Sequence, residues 1–256
     1  MNFLGIIPAR YQSSRFPGKP LAVIDGKSMI RRVWEQAAKA MDDLVVATDS
    51  ELIRKEVESF GGNVVMTNTN HQSGTDRCAE AVEIFQKEKG VEIDVVINIQ
   101  GDEPFIDPKQ IKQLMDAFSI AKIQIATLIK KITDAQSLFD PNEPKVIVDN
   151  NFNANYFSRA TIPYNRKEKE KNWLKYHTYY KHIGMYGYST KTLIEISKLE
   201  KTPLEKLESL EQLRWLESGY GIKCLITEID TLSVDTVADL ENMREKGFLK
   251  DFKLPQ

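Results

Sequence analysis

The feature that most constrains this chain is the order of its first hundred residues, where short β-branched runs alternate with amphipathic stretches. Phe3–Pro8 reads as a buried strand, and Leu44–Ala47, Asn63–Met66 and Asp94–Ile99 read as three more. Between them Met29, Ile30, Val33, Trp34, Ala37 and Met41 recur at helical spacing. A second helix is expected over 51–60, opened by Ser50 and closed by Gly61 and Gly62, and a third over 76–89, closed by Gly90. Apolar strands joined by helices cannot pair as hairpins, so they predict a mostly parallel sheet with helices on both faces.

The second half is less regular. Strands are expected at 123–129, 146–148, 155–158, 182–189 and 222–226, the earlier ones joined by loops. Residues 163–175, with the run Lys167–Lys171, read as a charged surface excursion. Thr202-Pro203-Leu204-Glu205 has the form of a capping box and predicts one helix to about Ser218, and Asp235 or Thr236 is expected to cap a last helix ending near Gly247. The reading is one domain with a small β-rich subdomain inserted after the nucleotide-binding core, residues 1–130 and 131–256 forming its two halves.

With 256 residues, a formal charge of −2 and 28% charged residues, the chain carries no basic field of the kind that recruits nucleic acid. Any anion site must be a local cluster. No apolar run approaches the roughly 18 residues of a membrane span, and Cys78 and Cys224 form no CxxC. A cytoplasmic protein is expected.

One such cluster exists. Between the first strand and the first helix, Pro8 to Pro20 carries Arg10, Ser13, Ser14, Arg15, Gly18 and Lys19. The carboxyl end of a parallel strand is where open α/β sheets bind ligands, and this mix of cations, hydroxyls and glycine suits a polyphosphate. It fits neither the Walker nor the GxGxxG frame. A solvated basic loop is the alternative. Asp102 follows the fourth strand and so projects near the same edge, where a hard carboxylate suits Mg²⁺; a turn aspartate is its plainer reading. Asp235 is either a second metal carboxylate or a helix cap. In His71–Arg77, the residues Gln72, Ser73 and Thr75 offer neutral groups able to read a pyrimidine edge. The competing reading makes Thr75 a cap and Arg77 a surface charge.

Six ordered blocks carry a resemblance: the Pro8–Leu21 segment, His71–Arg77, Gln100-Gly101-Asp102-Glu103-Pro104, Phe157–Pro163, His182–Tyr188, and Leu207–Arg214 with Val234-Asp235-Thr236. Together they resemble the CMP-sugar synthetases, specifically the cytidylyltransferases of 3-deoxy-manno-octulosonate (Kdo), from Phe3 to about Glu245. The chain departs from that pattern at Phe16, Ser233 and Ala238, and the Lys167–Lys171 run has no counterpart in it.

The resemblance implies a Rossmann-like nucleotidyltransferase fold that joins CMP from CTP to Kdo with Mg²⁺. Sialic acid or 8-amino-Kdo are the alternative sugars, and a non-catalytic nucleotide-binding module is the alternative class. It implies CTP contacts from Pro8, Ala9, Arg10, Ser13, Arg15, Lys19, Gln72, Ser73, Thr75 and Arg77, with Arg10, Arg15, Lys19 and Asp102 catalytic. It implies Asp102 and Asp235 as metal ligands, and sugar contacts from Gln100, Arg159, Arg166, His182, Tyr186, Glu211 and Gln212. A homodimer through the β-rich insert is implied too, and the apolar pair Tyr156/Phe157 on an edge-like strand is compatible with it. No residue stands out as general base.

Overall fold

In the computed structural model, residues 1–13, 15–120 and 122–255 are described, so Ser14 of the cationic loop lies outside them. β1 (Phe3–Ala9) leads through a loop and a 3-10 turn at Lys19–Leu21 to the short strands β2 (Val23–Ile24) and β3 (Lys27–Ser28). There follow α1 (Met29–Ala37), β4 (Leu44–Thr48), α2 (Glu51–Ser59), β5 (Val64–Met66), α3 (Gly74–Lys89) and β6 (Val95–Asn98). Next come α4 (Pro108–Ile120), β7 (Ile125–Lys131), α5 (Ala135–Phe139), β8 (Lys145–Val148) and β9 (Ala154–Ser158). The chain continues with α6 (Trp173–Tyr176), β10 (Tyr180–Ser189), α7 (Thr190–Ile196), α8 (Pro203–Glu208) and α9 (Gln212–Glu217). It finishes with β11 (Ile222–Ile226), α10 (Val237–Glu245) and β12 (Phe252–Lys253).

Nine strands form one sheet, seven along the path β11-β7-β10-β6-β1-β4-β5 and two, β8 and β9, branching from β10. β6, β1, β4 and β5 run parallel, as do β11 and β7, and β10 is inserted antiparallel between β7 and β6. Successive side chains of β1 alternate between two cores, as strand geometry demands. Leu4 and Ile6 pack with α3, α7 and α9 on one face, and Ile7 and Ala9 with α1, α2 and α4 on the other. Each fully buried Ile or Leu stabilises the fold by about 1.5–3 kcal/mol relative to exposure.

Several expectations are corrected. α4 lies in a stretch where no helix was expected. β8 and β9 join the main sheet, with β8 pairing to both β10 and β9. Phe157 of β9 is fully buried in the core, leaving only Tyr156 of that pair partly exposed. The 163–175 excursion contains a 3-10 turn at Glu170–Asn172 and the start of α6. The helix expected over 202–218 is two helices, separated at Ser209, whose φ of 52° is left-handed. No capping hydrogen bond forms at Thr202. Glu205 turns instead toward Arg214, 3.2 Å away.

Candidate active site

Because β1 and β6 are adjacent and parallel, the loops leaving their carboxyl ends emerge side by side. They touch at Gly101, where a Cβ would sit 2.8 Å from the Pro8 carbonyl oxygen, so only glycine permits the approach. A third segment joins them when the Val234 N–H donates to the Asp102 carbonyl at 2.9 Å. Three stretches far apart in sequence thereby meet along one side of a cavity of about 220 Å³.

Phe16, 3% exposed, roots the cationic loop in a small core with Ala22, Met29, Val234 and Leu240. The Ser13 hydroxyl accepts the Phe16 N–H at 3.3 Å. Pro8, Ala9, Arg10, Ser13, Arg15 and Lys19 line one wall of the cavity, and Gln100, Asp102 and Asp235 line another. Lys19 Nζ sits between the two carboxylates, 2.8 Å from Asp102 and 3.5 Å from Asp235. Arg15 reaches Asp235 at 3.1 Å. Two cations and two carboxylates are thus interleaved around one space. Asp235 is not the helix cap, because Thr236 caps α10 with a reciprocal bond to Asp239. That leaves the Asp235 carboxylate aimed at the cavity. The donor set fits Mg²⁺, a hard cation commonly held by one or two carboxylates together with substrate phosphates. Glu103, beside Asp102, is buried, and desolvation followed by repulsion from Asp102 pushes its carboxyl up to about 8.

The third wall is the N-terminus of α3. Ser73, not Thr75, is its cap, in a capping box with Asp76. Gln72 and Ser73 face the cavity, and Gln72 Nε2 donates to the Asn70 carbonyl at 3.0 Å. Arg77 also lines the cavity but is no surface charge. It is 3% exposed and binds Asp49 at 2.9 Å and Thr67 at 2.5 Å. Asp49 was not foreseen, although its place directly after β4, at the same sheet edge, is a signal available in the sequence. Thr75 turns away from the cavity and donates to Glu211 Oε2 at 2.9 Å.

The residues expected to meet a sugar divide into two groups. Gln100, His182, Tyr186, Glu211 and Gln212 gather around β10 and the start of α9. Gln100 Nε2 donates to the Gly184 carbonyl at 2.9 Å, and His182 Nε2 lies 2.9 Å from Thr127 Oγ1. Burial pushes His182 down to about 3 and raises the Tyr186 phenol. The Tyr186 hydroxyl and Gln212 Nε2 are buried and have no hydrogen-bond partner among the described residues. Glu211 precedes α9 rather than sharing a helix with Leu207, which is 82% exposed. Burial raises the Glu211 carboxyl, opposed first by Arg214 and then by Thr75.

Arg159 and Arg166 stand apart. The Arg159 guanidinium donates to the carbonyls of Glu208, Pro141 and Ser209 at 2.7, 3.0 and 3.3 Å, so it binds backbone within this chain. Arg166 lies in the 163–175 excursion, beside Tyr164 and Trp173 and away from the cavity.

Comparison with known proteins agrees with this geometry. A family described as cytidylyltransferase matches residues 4–228. A 3-deoxy-manno-octulosonate cytidylyltransferase of Bacteroides thetaiotaomicron is 52% identical over 98% of this chain and 99% of its own length. An 8-amino-3,8-dideoxy-manno-octulosonate cytidylyltransferase of Shewanella pealeana is 50% identical over 94% of this chain and 96% of its own. Among solved structures, a CMP:2-keto-3-deoxy-manno-octonic acid synthetase complexed with CTP superposes with a TM-score of 0.85. It is 38% identical and covers 96% of this chain and 98% of that one.

Proposed function

The chain belongs to the cytidylyltransferase family, among the Kdo cytidylyltransferases, and from that membership we propose that it transfers CMP from CTP to the anomeric hydroxyl of Kdo. The observation that carries this reading is Lys19 held between Asp102 and Asp235 in a cavity walled by the β1 loop and the α3 N-terminus. The sugar hydroxyl oxygen attacks the α-phosphorus of CTP, an O–P bond forms, the bond to the β-phosphate oxygen breaks, pyrophosphate leaves, and the hydroxyl proton is released to solvent. Arg10, Arg15 and Lys19 bind and neutralise the polyphosphate, which is most of what such a transfer asks of a protein.

Asp102 and Asp235 would hold Mg²⁺, which when bound supplies further neutralisation of the phosphates. Gln72 and Ser73 border the base, while Arg77, anchored on Asp49 and Thr67, stiffens that wall. His182 is a poor proton acceptor at neutral pH, because its ring is held neutral and bonded to Thr127. It serves as a neutral hydrogen-bonding group. The Tyr186 hydroxyl and Gln212 amide, without hydrogen-bond partners among the described residues, suit the hydroxyls of the sugar. Kdo is favoured over its 8-amino analogue because the relatives named for Kdo include the more similar ones.

In this reading residues 1–130 serve the nucleotide and 131–256 the sugar and a homodimer contact. Arg159 and Arg166 then act on the sugar only if a partner or a bound ligand redirects them. The exposed aromatics Tyr164 and Tyr176, 75% and 57% accessible, are consistent with a self-contact there. A cytoplasmic setting agrees with two buried, unpaired cysteines.

The direct test is pyrophosphate release from CTP with Kdo and Mg²⁺, with 8-amino-Kdo and sialic acid in parallel. Asp102→Asn should lower turnover by about a thousandfold with the fold intact, the scale of losing one metal carboxylate. Turnover near the parent value would remove Asp102 from the metal site. A preference for sialic acid would overturn the Kdo assignment.

A further inference from the structure

Thr75 occupies the first turn of α3, two residues past its Ser73 cap, and is only 2% exposed. Its hydroxyl crosses 136 positions of sequence to donate to Glu211 Oε2 at 2.9 Å. The other oxygen of that carboxylate accepts from Arg214 Nη2 at 2.5 Å. Arg214 is itself fixed, with Nη1 donating to the Leu199 carbonyl at 2.8 Å and Nε lying 3.2 Å from Glu205. Glu211 is therefore held by donors from two elements, one on each of its oxygens. A carboxylate has about four acceptor positions, so two donors fix its plane and leave room for ligand hydroxyls.

We propose that Thr75 is a positioning residue that orients Glu211 toward the sugar, and not a reader of the nucleobase. The inference rests on the reading of Glu211 as a sugar ligand. Gln72 and Ser73, immediately before Thr75, line the cavity, and Ser73 caps the same helix turn. A single rigid turn thus holds the nucleotide wall on one side and the sugar carboxylate on the other. A side chain that is buried and committed to a carboxylate is not available to a base edge.

Thr75→Val keeps the volume and removes the donor. Its Michaelis constant for Kdo should rise about tenfold or more, the scale of a lost hydrogen bond to a charged group. CTP affinity, titrated calorimetrically without sugar, should stay within about twofold. Thr75→Ser retains the hydroxyl and should restore Kdo use. In a Glu211→Ala background, Thr75→Val should add nothing, because coupled residues are non-additive.

Weakened CTP binding with unchanged Kdo use, or full additivity with Glu211→Ala, would overturn the proposal. If Glu211→Ala itself uses Kdo normally, the sugar reading fails and the role of Thr75 falls with it. If Glu211→Ala is impaired and Thr75→Val is not, only the role of Thr75 falls. Should the valine variant not fold, Thr75→Ala against Thr75→Ser carries the same comparison.

Discussion

His182 stands on β10 between β6 and β7, with its ring edge-on to Phe157 at 5.2 Å and tilted against Tyr186. Those neighbours desolvate the imidazolium and offer no carboxylate in exchange, so its pKa falls from 6.5 to about 3. The sign of the consequence is fixed. Between those values the unfolded chain takes up a proton that the folded chain declines, so stability falls as pH is lowered from 6.5 toward 3. The slope from this one group is about 1.4 kcal/mol per pH unit. His182→Gln should lose that component: urea unfolding at several pH values should give a parent-minus-variant difference that shrinks as pH falls through this window. A difference independent of pH would mean that the ring titrates normally. At this scale the sequence was informative about residue type and poor about partners. The Pro8–Lys19 cations and Asp102 were legible because strand ends fix where loops emerge. Arg159, Arg77 and Thr75 were legible as polar groups, but not as groups bound to backbone, to Asp49 and to Glu211. Those partners lie 18 to 136 positions away, and no local spacing encodes them.

Elements of the first half followed the sequence closely because strands buried on both faces leave near-continuous apolar runs. α4 was overlooked although Ile111, Leu114, Met115 and Phe118 repeat at helical spacing and Pro108 opens the helix. The α8–α9 boundary was misread for a different reason. Leu204, Leu207, Leu210 and Leu213 suggest one continuous stripe, yet Leu207 is exposed and Ser209 adopts a left-handed conformation that ends α8. The break matters, because it lets Arg214 face Glu205 and Glu211 together, and it presents the Glu208 and Ser209 carbonyls to Arg159. An L-residue in that backbone region is strained by about 1–2 kcal/mol, which glycine avoids. Ser209→Gly should therefore raise the melting temperature by about 2–8 °C for a chain of this size. Ser209→Val should lower it by a comparable or larger amount, since branching at Cβ worsens the same clash. If the glycine variant melts earlier than the valine variant, the helix break is not set by backbone strain.

Over the whole molecule, the last described residues return to the segment that follows the phosphate loop. β12 pairs antiparallel with β2, which pairs with β3, giving a small sheet apart from the main one. Asp25 fastens it, its carboxylate accepting the N–H groups of Lys250 and Asp251 at 2.7 and 2.9 Å. Nothing in the sequence announced this, because two-residue strands carry no period and the pairing spans more than 220 positions. It places Pro255 against Gly18, in the middle of the cationic loop. Gly18 has φ of 69°, and a Cβ there would lie 2.9 and 3.0 Å from the Pro255 ring and 3.3 Å from Tyr11. Its N–H donates to the Tyr11 carbonyl at 2.8 Å, closing the turn that presents Arg15 and Lys19. Gly18→Ala thus adds left-handed strain of about 1–2 kcal/mol and displaces the tail. The strain is local to the loop, so the main sheet should keep its stability while the phosphate cations lose their arrangement. The expected result is a CTP affinity lowered by about fivefold to thirtyfold, the equivalent of that strain, with the Michaelis constant for Kdo nearly unchanged. Phe252→Ala, which loosens the tail without touching Gly18, should move CTP affinity in the same direction by less. If Gly18→Ala lowers only the melting temperature and CTP titrates as in the parent, the tail stabilises the fold and has no part in shaping the nucleotide site.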